Sequence, residues 1–194
     1  MNVSYRNLRP NDHAAIAARL EVRKQRYLDV VEGKTVSTDF LLIGDKPGPS
    51  APTTPGYHHT PFYSTKHCSG WLNAYLHIEQ IPEERLLWIN AYDRLGNPTA
   101  SDVAKRAQAE TVIALGHLAA KWAKSVGLTQ HSRFIQVPHH QWHKRFMNKE
   151  PYDLIETIKC CALRSSVGIK ECAFDACPLH SGAASSEESV ICFT

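Results

Sequence analysis

Three polar side chains of chemically useful types each follow a short apolar run. Asp45 comes directly after FLLIG, Asn90 ends LLWIN, and His139 follows RFIQVP. A carboxylate can position water or stabilise a cation, an amide can recognise the polar edge of a ligand, and an imidazole can donate a hydrogen bond to developing negative charge. This combination favours an enzyme site for a polar ligand.

The loop after the first of these runs is stiff. Residues 44–48 read GDKPG, and more prolines follow in residues 49–55. Because proline fixes its own φ angle, we expect Asp45 and the neighbouring backbone N–H groups to be held in place before a ligand binds. The alternative is a structural turn in which Asp45 only caps backbone amides.

The apolar periodicity predicts strands that alternate with helices. Strands are expected at residues 40–43, 86–90, 111–115 and 133–137, and helices at residues 11–31, 64–77, 101–109 and after Gly116. This alternation is typical of a three-layer α/β sandwich with a central four-stranded parallel sheet flanked by helices. Ligands bind beyond the carboxyl ends of such strands, so Asp45, Asn90 and His139 are expected to converge there.

Composition indicates one main domain with a small appendage. The chain has 194 residues, of which 43% are hydrophobic, and this is enough for one substantial core. We expect an α/β domain over residues 1–155 and a small Cys-rich tail over residues 156–194. The sequence has neither an apolar segment of membrane-spanning length nor a secretory leader pattern, so we predict a cytoplasmic protein with no membrane partner. We separately expect a monomer.

The basic residues alone give weak support for a nucleic-acid partner. The net charge of +3 permits binding to a polyanion without indicating it. The first predicted helix has a basic face, which we expect to be solvated. That face comprises Arg19, Arg23, Lys24 and Arg26.

The four tryptophans fall into two groups. Trp71, Trp88 and Trp122 each lie within an apolar-periodic segment, so we expect them in the core. Trp142 lies beside His139, and we expect it to flank the DNA backbone or to wedge into a base stack if DNA is the partner.

Five segments occur in the order found in a known enzyme superfamily. They are GDKPG, TPFYSTKHCSGWLNAYL, WINAYDRLGNPT, VIALGHLAAKWA and VPHHQWHKRF, and the region spans residues 40–146. In this order they resemble the motifs of the uracil-DNA glycosylase superfamily. The resemblance implies a DNA partner, single- or double-stranded, and cleavage of the N-glycosidic bond of a flipped pyrimidine such as uracil or a 5-substituted uracil.

The resemblance also implies roles for individual residues. His139 would stabilise charge on the departing base, and Asp45 would position water or stabilise the sugar cation. Phe62 or Tyr63 would stack on the base, and Asn90 would hydrogen-bond to its edge. The implied base-binding set is Gly44, Phe62, Tyr63 and Asn90. The implied DNA-backbone set is Gly48, His140, Lys144 and Arg145.

Two positions depart from the superfamily pattern. Lys46 stands where the best-known branch has a water-orienting aspartate, and His140 replaces the proline of the usual His-Pro. Lys46 could contact phosphate, extend into solvent or, if burial lowers its pKa, act as a catalytic amine nucleophile. The loop resembles the GEAPG-type loop of the iron–sulfur branch, but no cysteine precedes Asp45, so no iron–sulfur cluster is expected.

These departures leave two alternatives to base excision. The first is a phage DNA base-modifying transferase that acts on hypermodified thymine, for which the lysine at position 46 and the missing aspartate would be intelligible. The second is a non-catalytic module that recognises a nucleobase or a DNA end.

The end of the chain is rich in cysteine. The segment IKCCALRSSVGIKECAFDACPLH resembles a short module common at the ends of bacteriophage and prophage proteins, which would place a phage-encoded protein in the host cytoplasm. Zinc prefers four nitrogen or sulfur ligands, so a structural zinc ion is expected, with the fourth ligand left open. The candidate ligands are Cys160, Cys161, Cys172, Cys177 and His180. The alternative is a reduced helical tail with incidental cysteines.

Overall fold

The structure, a computed structural model, describes residues 12–48, 60–130, 133–147 and 151–167, with side chains of the last range described through residue 161. The chain divides into two units, residues 1–157 and 158–194. The first unit contains the sheet together with Asp45, Asn90 and His139. Within the described residues, no helix is both long enough and apolar enough to cross a membrane.

Helices and strands alternate along most of the chain. The helices are α1 (His13–Val31), α2 (His67–Ile78), α3 (Ser101–Lys105), α4 (His117–Ser125), α5 (His140–Phe146) and α6 (Asp153–Val167). The strands are β1 (Val36–Gly44), β2 (Leu86–Asn90), β3 (Ala107–Leu115) and β4 (Arg133–Val137). A 3₁₀ turn, Glu83–Arg85, leads directly into β2.

All strand pairings are parallel, and the order across the sheet is β2-β1-β3-β4. This confirms the predicted α/β fold, with a four-stranded parallel sheet and helices around it. The strand that follows β1 in the chain, β2, pairs with one edge of β1, and the next strand, β3, pairs with its other edge. Loops that leave in opposite directions open a crevice at the carboxyl ends of β1 and β3, which is where α/β folds bind ligands.

The sheet is covered on both faces. Consecutive residues at the end of β1 are buried, and a sheet with one solvated face would instead alternate. Leu41 and Ile43 belong to a core with Trp122 and Ala123 of α4. The tryptophans at positions 71, 88 and 122 are each at most 2% exposed, which confirms their predicted place in the core.

One predicted boundary was wrong. Residues 107–109 were expected to continue the helix that begins at Ser101, but they belong to β3. The reason is tertiary pairing, because β1 begins at Val36, four residues earlier than predicted, and its first residues pair with 107–109. Strand pairing therefore outweighs the helical preference of this short alanine-containing segment.

The basic face of α1 is not uniformly solvated as predicted. Arg23 is only 1% exposed, and its Nε donates a hydrogen bond of 2.7 Å to Oε1 of Glu83. Arg19 also donates to this carboxylate, whereas Arg26 donates to backbone carbonyls. Part of the apparent basic face is therefore a buried ion-pair network between α1 and the turn before β2.

Candidate functional site

Asp45 directly follows β1, at the point where the strand order changes direction between β1 and β3. Its Oδ1 accepts a hydrogen bond of 3.0 Å from the backbone N–H of Ala119, in the first turn of α4. Its carbonyl oxygen accepts one of 2.9 Å from the N–H of Tyr92, in the loop after β2. The side chain thus caps α4, as the structural alternative predicted, while Oδ2 accepts no hydrogen bond from any described residue. Among the described residues, one carboxylate oxygen therefore has a hydrogen-bond partner and the other has none.

Gly116 lies next to both Asp45, which follows β1, and His139, which follows β4. Its φ of +102° is a conformation that residues with a side chain rarely adopt. A Cβ atom at Gly116 would lie 3.2 Å from Cβ of His139 and 3.7 Å from each carboxylate oxygen of Asp45. A glycine at this position therefore lets Asp45 and His139 approach each other.

His139 is held as a neutral hydrogen-bond donor. Its Nδ1 accepts a hydrogen bond of 3.3 Å from the backbone N–H of Gln141, so the proton of the neutral ring lies on Nε2. Burial lowers the pKa of His139, and the nearby carboxylate of Asp45 opposes this only in part. At pH 7 the imidazole is neutral, with Nε2–H free to donate to an oxygen that gains negative charge.

Asn90 and Phe62 meet over Gly44. A Cβ atom at Gly44 would lie 2.8 Å from Oδ1 of Asn90 and 3.0 Å from two ring carbons of Phe62. The amide and the ring are therefore adjacent, and the backbone leaves room for both only because position 44 has no side chain. The hydroxyl of Thr99 donates to the carbonyl of Asn90 at 2.6 Å, which fixes the end of β2.

His140 joins the two halves of this arrangement. Its ring centroid lies 4.2 Å from that of His139 and 4.8 Å from that of Phe62. We call the set Gly44, Asp45, Phe62, Asn90, Gly116, His139 and His140 the carboxyl-edge cluster. The acid, amide and histidine expected to converge do lie at one edge of the sheet.

The placement of His140 corrects an expectation. It was predicted to contact the DNA backbone, but it is 4% exposed and its Nδ1 has no hydrogen-bond partner among the described residues. Burial, with smaller contributions from the charges of His139 and Lys144, lowers the pKa of His140 to about 3. The buried, neutral ring of His140 packs against the ring of Phe62. It does not provide a positive charge for a phosphate group.

The buried histidine predicts a loss of stability in acid. The folded protein keeps His140 neutral down to a pH of about 3, whereas the unfolded chain takes up the proton near pH 6.5. Unfolding therefore binds a proton between these values, and between pH 7 and pH 5 this group should cost about 2 kcal/mol of stability. His139 contributes with the same sign.

Urea unfolding at pH 7 and pH 5 measures this effect. In His140→Phe, which keeps an aromatic ring but cannot titrate, the loss between the two pH values should be smaller by about that amount. His117→Gln, which removes an exposed histidine, should retain the loss of the original protein. Equal losses in His140→Phe and the original protein would contradict the assignment.

Other predicted site residues lie outside the cluster. Tyr63 turns away, because its hydroxyl donates to Glu21 and its ring packs beside Ile16 and Leu20. Lys46 is exposed, so burial does not provide the desolvation that a nucleophilic amine needs. Of the two aromatic candidates for base stacking, only Phe62 lies beside Asn90.

The predicted DNA-backbone residues are distributed around the cluster. Gly48 is exposed, and a Cβ atom there would have no neighbour within 4 Å. On α5, Arg145 is exposed and Lys144 is half-buried. Trp142 is 48% and Phe146 67% exposed, and their rings lie 5.6 Å apart between centroids. One face of α5 thus presents aromatic and basic side chains together.

The predicted zinc ligands are only partly within the described residues. Cys160 is half-buried and Cys161 is buried in α6, while Cys172, Cys177 and His180 lie outside the described ranges. Among the described side chains no group of three or more metal-ligating residues comes together. The zinc ion stays a prediction.

Two residues that contact Phe62 were not predicted from the sequence. They are Arg23 and Asn73, which both donate to its carbonyl oxygen. The signal for the first was present, since Arg23 shares one helical stripe with the buried residues Ile16, Leu20 and Val30. The charge of Arg23 predicts exposure and its place on the apolar stripe predicts burial, and the second prediction is the correct one. Asn73 gave no comparable signal, because its role depends on carbonyl groups eleven and nine residues earlier in the chain.

No known protein-family model matches this chain, and no curated protein matches it either. The geometry of the carboxyl-edge cluster and the resemblance of the motifs are therefore the basis on which a function can be proposed.

Proposed function

We propose that the protein is a DNA glycosylase-like enzyme that binds a flipped pyrimidine, uracil or a 5-substituted uracil, and cleaves its N-glycosidic bond. The observation that carries the proposal is the convergence of Asp45, Asn90, His139 and an aromatic ring at one edge of the sheet. These are the residue types that such chemistry needs, since the reaction leaves an anionic base and a cationic sugar.

Each member of the cluster has a task in the proposed reaction. The ring of Phe62 stacks on the flipped base, and the amide of Asn90 hydrogen-bonds to its edge. As the C1′–N1 bond breaks, Nε2–H of His139 donates to a base oxygen and stabilises the electron pair that the base retains. The neutral, correctly protonated imidazole supports this assignment.

Asp45 acts on the sugar side of the same bond. Its carboxylate stabilises the positive charge that develops on the sugar and orients the water whose oxygen bonds to C1′. A proton of that water neutralises the base anion, so the products are the free base and an abasic sugar. Capping of α4 by Oδ1 supports this role, because it fixes the carboxylate before substrate binds.

The exposed face of α5 supports a DNA partner. Trp142 and Phe146 offer stacking surfaces, and Arg145 lies between them in sequence, a combination typical of nucleic-acid contacts. This helix begins one residue after His139, so DNA bound to the cluster would extend across it. The structural zinc in the tail remains a separate proposal.

Oligonucleotides that carry one uracil or one 5-hydroxymethyluracil test the proposal. Incubation with the purified full chain should create alkali-labile abasic sites, and mass spectrometry should recover the free base. A modified nucleoside in place of a free base would indicate transfer. If the strands bind but stay unchanged, and Asp45→Asn and His139→Ala bind equally well, the protein is a binding module and the proposal is wrong.

A further inference from the structure

Phe62 has an unusual backbone conformation for a residue with a large side chain. Its φ of 54° lies in the left-handed region, which costs a non-glycine residue free energy and persists only where surrounding contacts hold it. Residues at such angles cluster at ligand sites. The question is which contacts hold this one.

Three hydrogen bonds converge on the carbonyl oxygen of Phe62. The N–H of Ser64 donates at 2.9 Å, Nδ2 of Asn73 at 3.0 Å, and a terminal guanidinium nitrogen of Arg23 at 3.2 Å. The same Nδ2 of Asn73 donates to the carbonyl of Ser64 at 2.8 Å. Two buried side chains from two different helices therefore hold one turn of the backbone.

The ring of Phe62 is anchored through the same network. It lies edge-on to Trp88, with centroids 5.2 Å apart. Nε1 of Trp88 donates to Glu83 at 2.8 Å, and the guanidinium of Arg23 lies 4.4 Å above the centre of the indole. Arg23 thus reaches Phe62 both at its backbone and, through Trp88, at its ring.

We infer that Arg23 and Asn73 are positioning residues that hold the ring of Phe62 beside Asn90 before a base arrives. This inference rests on the proposed function, because only that function gives the ring of Phe62 a base on which to stack. A preorganised stacking surface does not lose side-chain freedom when the base binds, so more of the stacking free energy appears as affinity.

The position of the ring can be measured without any substrate. In protein labelled with 4-fluorophenylalanine, the ¹⁹F resonance of Phe62, assigned by its loss in Phe62→Leu, should be narrow and displaced by the ring currents of Trp88 and His140. In Asn73→Ala it should broaden or move toward its position in the unfolded chain. Gln25→Ala, which removes an exposed amide on α1, should leave it unchanged. An unchanged resonance in folded Asn73→Ala would overturn the inference.

Excision kinetics separate positioning from general structural support. Asn73→Ala should raise KM by about tenfold when Phe62 is present, and should leave KM unchanged in a Phe62→Ala background, because its effect passes through the ring. An equal rise in both backgrounds would overturn the inference. Where Asn73→Ala does not fold, Asn73→Leu keeps the size of the side chain and removes both amide donors, and the same two measurements apply.

The two measurements also separate this inference from the proposed function. A resonance that moves in a protein without excision activity would support the positioning role and contradict the glycosylase. If the protein excises the base but Asn73→Ala changes neither the resonance of Phe62 nor KM, the glycosylase is supported and the positioning role is wrong.

Discussion

Replacing Asp45 by asparagine is expected to lower the single-turnover rate of base excision by about 100- to 1,000-fold. The amide removes the negative charge that stabilises the sugar cation and orients water. Its oxygen can still accept the 3.0 Å hydrogen bond from Ala119, so α4 keeps its cap. The free energy of unfolding should therefore change little, which makes the loss of activity a measure of the charge itself.

Asp45→Ala separates the two roles of this carboxylate. It removes the cap as well as the charge, and should cost about 1 kcal/mol of stability in addition to the loss of activity. Asp29→Asn, at the amino end of the sheet, is the matched control and should excise at the original rate. If Asp45→Asn is as active as the original protein, Asp45 is only a cap and the catalytic assignment is wrong.

Replacing Glu83 by glutamine is expected to destabilise the fold by about 3–5 kcal/mol. The carboxylate accepts hydrogen bonds from Arg23, Arg19 and Trp88, and its exposure is only 2%. Its loss leaves the guanidinium of Arg23 buried without a counter-charge, which costs far more than the loss of an exposed ion pair.

The pKa of Glu83 supports this assignment. Burial by itself raises that pKa, but the charges and hydrogen bonds of Arg23 and Arg19, with the hydrogen bond from Trp88, outweigh it and leave the pKa lowered. A lowered pKa in the folded state means that the stabilisation is present at neutral pH and is lost as pH falls through the folded value. The comparison is therefore made at pH 7.

Chemical denaturation gives the size of the effect. Glu84→Gln removes an exposed carboxylate one residue away and should change the free energy of unfolding by less than about 0.5 kcal/mol. The double variant Arg23→Met, Glu83→Leu replaces the pair by apolar side chains and should recover part of the lost stability, because Arg19 and Nε1 of Trp88 still lack their acceptor. A change below about 1 kcal/mol in Glu83→Gln would contradict the buried network.

Local sequence patterns were enough to predict the parallel sheet and to place Asp45, Asn90 and His139 at the same edge of it. Three of the four strands end at or directly before a glycine or proline, namely Gly44, Gly116 and Pro138, and parallel topology places all four strand ends at one edge. For that reason Asp45, Asn90 and His139 could be placed together from sequence.

The remaining features depend on contacts that are distant in sequence. The start of β3 is set by its pairing with Val36, and the choice of Phe62 over Tyr63 is set by helices on either side of that turn. Burial of His140 and Arg23 likewise depends on which partners the fold brings to them. The helical stripe of Arg23 indicates burial but not its partner Glu83, and the sequence around His140 indicates neither burial nor a partner, so both positions were misassigned.

A ¹⁹F NMR experiment on an oligonucleotide with a single 5-fluorouracil tests directly whether the protein stacks a flipped pyrimidine on Phe62 and releases it. With Asp45→Asn, which should bind but react slowly, we expect a new resonance of the base stacked on Phe62, absent when Phe62→Leu is added. With the original protein the signal should move to that of free 5-fluorouracil. If a single resonance keeps its position at saturating protein and no free base forms, the protein is not a base-excising enzyme of this kind.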